Sequence, residues 1–127
     1  MTVTITIGYV LAGVIAAAII FLGARFLVAP GVAAVGYGVP ADVDRREDRA
    51  YLSVKGVRDI ASGFFVIILM TAGATHLLGW FVLAATIIPL ADAAIVLRSG
   101  GAKSTAYGVH GATAAVMLVT AALLLLS

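Results

Sequence analysis

The chain has 127 residues, of which 63% are hydrophobic and 11% charged. A soluble domain is about 45–50% apolar and about 25% charged, so a soluble core is excluded and an integral membrane protein of one domain, residues 1–127, is expected. The formal net charge of +2 comes from basic residues interleaved with acidic ones, which argues against nucleic acid as a partner; the absence of cysteine excludes disulfides, thiolate chemistry and cysteine metal sites.

Four apolar segments follow one another at about 3–28, 54–74, 77–97 and 106–126. Each approaches the ~20 residues that cross about 30 Å of hydrocarbon, and backbone in lipid must satisfy its own hydrogen bonds, so each is read as a helix. The first lacks a basic n-region and runs on to Arg25, so it is read as a retained helix and not as a cleaved leader. Its small residues, Gly8, Ala12, Gly13, Ala16 and Gly23, allow close helix packing, more within the chain than in a dedicated dimer motif. A homo-oligomer is left open.

The stretch 29–53 has two parts. Pro30 to Pro40 is too apolar for open solvent and too short to span, which suggests an interfacial or shallow re-entrant segment. Asp44-Arg45-Arg46-Glu47 has the spacing of a helix start, so a short helix is expected toward Tyr51, continuing or not into the second segment. The third segment carries Asp92 just after Pro89, whose ring frees a backbone carbonyl one turn back. The fourth opens on Tyr107-Gly108-Val109-His110, a faint echo of Lys55-Gly56-Val57-Arg58 at the start of the second.

All eight basic residues lie on or beside loops 29–53 and 98–105, and none lies in the Gly73–His76 loop. The positive-inside rule then puts those two loops in the cytoplasm and both termini outside, in a multi-pass protein of the cell membrane. Tyr37, Tyr51 and Tyr107 are expected at the inner interface and Trp80 at the outer one. The fold class is therefore all-α, an up-down four-helix membrane bundle.

Charge in hydrocarbon costs at least about 2.5–3.5 kcal/mol, so charged residues inside segments face the protein interior. Lys55, Arg58, Asp59 and Ser62 share one helical stripe, and Tyr107, His110 and Thr113 share another. At about 1.5 Å per residue, Asp59, Asp92 and His110 each lie roughly 6–9 Å inside the same boundary, with Arg25 at the end of the first segment. The residues are expected to converge in one pocket open to the cytoplasm or the inner leaflet. Asp92 with His110 is the expected proton-transfer pair, Asp59 the second carboxylate, and Arg58 the anchor for an oxygen of the substrate. Arg25, Lys55, Ser62, Tyr107 and Thr113 are expected to complete the binding wall, with Arg58 or Arg25 touching an aspartate.

This pattern suits binding, and with it acid–base conversion, of a small lipophilic substrate taken from the bilayer. A proton-coupled small transporter and an accessory subunit with a purely structural network are the alternatives. No metal is expected, because Arg58 and Arg25 would repel a cation. No cofactor is expected either: there is no P-loop or dinucleotide fingerprint, and Ser53, Ser62, Ser99 and Ser104 lack a nucleophile context.

The run Tyr51-Leu52-Ser53-Val54-Lys55-Gly56-Val57-Arg58-Asp59-Ile60-Ala61-Ser62-Gly63, preceded by Gly38-Val39-Pro40 and followed by Asp92 and His110, resembles the small membrane proteins grouped as domain-of-unknown-function family 4267. The resemblance covers nearly the whole chain. It implies a four-helix membrane fold that shares the Arg-Asp pair, the later Asp and the His, and it implies no particular activity.

Overall fold

A computed structural model describes residues 2–127, which are all-α, with no strand among them. Helix α1 runs Val3–Val28. The Thr2 hydroxyl caps it by accepting the Ile5 N–H at 3.2 Å, satisfying one of the donors that a helix start leaves free. Pro30 opens α2 (Pro30–Tyr37), where its missing N–H costs nothing, and Gly38 closes it at φ 99°, a left-handed conformation suited to glycine. The Pro30–Pro40 segment is thus largely a helix in its own right.

The short helix expected after Asp44 does not stand alone. It is the first part of one long helix, α3 (Arg46–Thr71), which begins well before the apolar segment at 54 and ends short of 74. Asp44 does not cap it. Asp42 accepts the Asp44 N–H at 3.0 Å and Asp48 accepts the Asp42 N–H at 2.8 Å, so carboxylates staple the loop onto the first turn. Glu47 and Asp48 also complement the positive end of the helix dipole.

The third apolar segment extends to Thr75–Arg98 but is interrupted, as α4 (Thr75–Ala85) and α5 (Ile87–Arg98). The break falls at Thr86, three residues before Pro89, where the proline ring deprives a carbonyl of its donor. Buried Thr86 offers its own carbonyl-seeking hydroxyl to Val82 at 2.9 Å. The fourth starts earlier than 106. A turn of helix, α6 (Lys103–Thr105), a π-helical stretch (Ala106–Gly111) and α7 (Ala112–Leu125) run on as one rod.

Three of these rods, Val3–Val28, Thr75–Arg98 and Lys103–Leu125, are long and apolar enough to cross a membrane. Helix α3 is as long, but its apolar part carries Lys55, Arg58 and Asp59. Helix α1 packs between α3 and α7, and α4 packs on α7. Small residues make these approaches. A Cβ on Gly8 would strike Leu124 at 2.7 Å, and one on Gly23 would strike the Gly56 carbonyl at 2.6 Å. The core joins Ala12 and Ala16 of α1, Val66 of α3, Leu78 and Val82 of α4, and Leu124 of α7. Most large apolar side chains, Phe21, Phe64 and Leu118 among them, point outward instead.

Candidate functional site

The tight meeting of α1 with α3 determines where the first carboxylate sits. A Cβ on Gly23 would come within 2.9 Å of the Asp59 Cβ, so only a glycine lets Asp59 lie this close against α1. Asp59 is buried, at 9% exposure. Its partner is Lys55, one turn earlier on the same helix, with Nζ 2.8 Å from Oδ2. The same ammonium lies 4.8 Å from the ring centres of both Phe26 and Tyr37, a cation held by a carboxylate and two aromatic faces.

Tyr37 ends α2 and ties the other half of the site together. Gly38 and Gly101 make its position available: a Cβ on Gly38 would meet Thr105 at 2.7 Å, and one on Gly101 would meet the Gly38 carbonyl at 2.6 Å. The end of α2 is therefore clamped against the α5–α6 turn. From there the Tyr37 hydroxyl donates to Asp92 Oδ1 at 2.6 Å, and its carbonyl lies 2.7 Å from His110 Nε2. Its ring meets the imidazole edge-on, with centres 4.7 Å apart. Burial, reinforced by the hydrogen bond to Asp92 and by the charge of that carboxylate, pushes the Tyr37 hydroxyl well above the usual phenol range.

His110 belongs to the π-helical stretch and is 7% exposed. A carbonyl oxygen can only accept, so Nε2 carries the hydrogen, and in the neutral form of the ring Nδ1 presents a lone pair. Nδ1 faces Asp92 Oδ2 at 3.9 Å. That is too long for a direct hydrogen bond.

A cavity of about 670 Å³ opens beside this cluster. Tyr37, Lys55, Asp59, Asp92 and His110, joined by the contacts above, form the polar end of its wall, which Arg25 also lines. Apolar side chains such as Ile19, Val66, Phe81, Ile88 and Val116 line the rest. The volume lies within the roughly 300–1,000 Å³ typical of small-molecule sites. Among the described residues no three His, Asp or Glu side chains gather as a metal cage would need.

The structure thus brings Asp59, Asp92, His110 and Lys55 together on the wall of one cavity, which Arg25, Ser62 and Thr113 also line. The Ser62 and Thr113 hydroxyls turn back to their own helices, onto the Arg58 and Val109 carbonyls. Two expected residues are elsewhere. Arg58 is exposed and off the cavity wall, because it lies about 100° round the helix from its neighbour Asp59. Tyr107 is also off the wall and 62% exposed. Neither Arg58 nor Arg25 forms an ion pair among the described residues; Lys55 takes that part, and Arg25 leans over the Phe21 ring at 6.0 Å. Tyr37, read from the sequence only as an interfacial aromatic, sits at the centre of the site. Its only sequence signal is the Tyr37-Gly38 step, a helix C-terminus that turns back toward the other segments.

The model of one protein family, described as Domain of unknown function (DUF4267), matches residues 16–124. The chain belongs to that family. The matched span includes every residue of the cavity wall except Val14 and Ile15. No curated protein and no solved structure matches the chain.

Proposed function

We propose that the protein is an up-down four-helix membrane protein that binds a small lipophilic molecule in this cavity, with its polar end held by Asp59, Lys55, Asp92 and His110. The observation that carries the reading is the make-up of the wall: a connected polar cluster, Lys55, Asp59, Tyr37, Asp92 and His110, on a cavity whose other lining residues are mostly apolar. Such a wall accepts an amphiphile. The outward-facing apolar side chains support a lipid surround, and the one-sided basic residues support cytoplasmic loops at 29–53 and 98–105 with both termini outside. The polar end then lies toward the cytoplasmic face, within reach of the inner leaflet.

Asp92 and His110 are the groups for proton transfer. The imidazole is oriented through Nε2, so Nδ1 is its free basic atom, and the carboxylate beside it is oriented by Tyr37. Acid–base conversion of the bound molecule is the chemistry this pair suits. Lys55 replaces Arg58 as the cation nearest the carboxylates. A structural network is the second reading, favoured by the mutual pairing of Lys55 and Asp59.

The test is native mass spectrometry of the purified protein with chemical identification of any small molecule retained. A Val116→Trp variant fills the apolar end and leaves the polar residues in place. A bound molecule that is lost in this variant is the expected result. No retained molecule in the wild type, and equal melting of the two proteins, would overturn the reading.

A further inference from the structure

Around Asp92 the atoms left without a hydrogen-bond partner are acceptors, while Arg25, on the same cavity wall, lies over the Phe21 ring and pairs with no carboxylate among the described residues. Lys55 is engaged by Asp59 and two rings, and the Tyr37 hydroxyl hydrogen is given to Asp92. What remains are Asp92 Oδ2 and, with the imidazole neutral, His110 Nδ1, 3.9 Å apart and each able to accept a hydrogen bond. Two acceptors at that spacing repel until a donor bridges them. A nitrogen about 2.8–3.0 Å from each atom fits between them, provided that it carries at least two hydrogens. Among the described residues Asp92 also has no lysine or arginine within ion-pair distance, unlike Asp59. The other charged groups around it are Arg25 from α1, stacked toward Phe21, and the Lys55–Asp59 pair from α3, which is internally neutral.

We propose that the ligand is a lipophilic amine whose ammonium group bridges Asp92 Oδ2 and His110 Nδ1 while its chain lies along the apolar wall. The ammonium supplies both missing things, a positive charge for Asp92 and two N–H donors for the facing acceptors. A fatty carboxylate is disfavoured in the same place, since it would set a third acceptor, and a second unpaired negative charge, against the pair. An alcohol supplies a single hydrogen and no charge. This inference rests on the cavity being a ligand site. The same chemistry is offered by a small alkylamine and by the headgroup of an aminolipid.

The experiment uses the full chain in detergent micelles with three probes of equal length, decylamine, decanol and decanoate, at a pH where the amine is charged. Affinity is read by calorimetry and by the rise in melting temperature, against the same micelles with the Asp92→Asn and Val116→Trp variants. Decylamine is expected to bind at least tenfold more tightly than the other two. Asp92→Asn should remove that preference while keeping the fold, as judged by its helical circular dichroism. Equal binding of all three probes would overturn the amine assignment and leave the cavity as a lipophile site. An undiminished preference in Asp92→Asn would overturn the role of the carboxylate. Binding of no probe, with Val116→Trp indistinguishable from wild type, would overturn the cavity reading itself. In vesicles, selective retention of phosphatidylethanolamine over phosphatidylcholine, whose nitrogen has no N–H, would assign the amine to a lipid headgroup; decylamine binding without it would assign a free amine.

Discussion

Gly23 and Gly56 meet backbone against backbone: a Cβ on either would come within 2.6 Å of the other's carbonyl oxygen. Neither carbonyl can swing aside, because each belongs to a long helix. Gly23→Ala and Gly56→Ala should each force α1 and α3 apart, at a cost of about 1–3 kcal/mol, as overpacked sites do. Gly108→Ala, where a Cβ would meet nothing within 4 Å, is the control. Unfolding of the three variants in mixed micelles checks this.

Lys55 and Arg58 should behave differently although both are cations on one helix. Lys55→Met leaves Asp59 buried without its partner, and removing one member of a buried pair costs about 3–5 kcal/mol. The loss should fall toward the lower end, because the Lys55 side chain keeps 28% of its exposure. Arg58→Gln, on an exposed position, should stay within about 0.5 kcal/mol of wild type. Joint replacement as Lys55→Met with Asp59→Leu should recover much of the loss. Melting of the four proteins gives the comparison.

Tyr37→Phe deletes one hydroxyl and leaves the ring under Lys55 and beside His110. The expected loss is about 1.5–3 kcal/mol, the scale for a hydrogen bond to a charged group. There is a pH signature as well. The folded protein holds the Tyr37 proton more tightly than the unfolded chain, whose phenol titrates near about 10. Above that pH the unfolded state binds fewer protons than the folded one, so stability falls as pH rises. Tyr37→Phe should remove this part of the alkaline loss. Denaturation from about pH 9 upward, with tyrosinate absorbance followed alongside, measures it.

The proposed orientation is tested at Ser104, an exposed residue of the 98–105 loop, in a chain with no cysteine of its own. A Ser104→Cys variant should react with an impermeant maleimide only after the inner face is opened. Labelling in intact cells would reverse the topology.

Hydropathy and charge spacing made much of this architecture legible. The apolar run of α1 and its bounds coincide, and the depth argument applied to Asp59, Asp92 and His110 needs only rise per residue. The choice between Arg58 and Lys55 was legible in principle. Adjacent residues on a helix point apart, whereas residues four apart lie on one face. Tyr37 was not legible in this way. It reaches Asp92 across 55 positions of sequence, and only the packing of α2 against the α5–α6 turn carries it there. The start of α3 was legible in Asp44-Arg45-Arg46-Glu47; its unbroken run into the apolar segment was not, because charged residues continue a helix as readily as apolar ones once its first turn is stapled.

The π-helical stretch from Ala106 to Gly111 has a consequence for chain length. A π turn holds roughly one residue more than an α turn of the same advance, so this segment behaves as an α-helix with a single insertion. The faces on either side are already in register with different neighbours, α5 before it and α1 and α4 after it. A one-residue deletion at Gly108 could be absorbed by tightening this turn to ordinary α geometry, at the expense of the direction in which His110 points. The same deletion at Met117 would rotate half of a packed helix out of the core. Natural length variation in this family should therefore be tolerated at the first place and absent from the second, and chains lacking that residue should have lost the imidazole's grip on the α2 carbonyl.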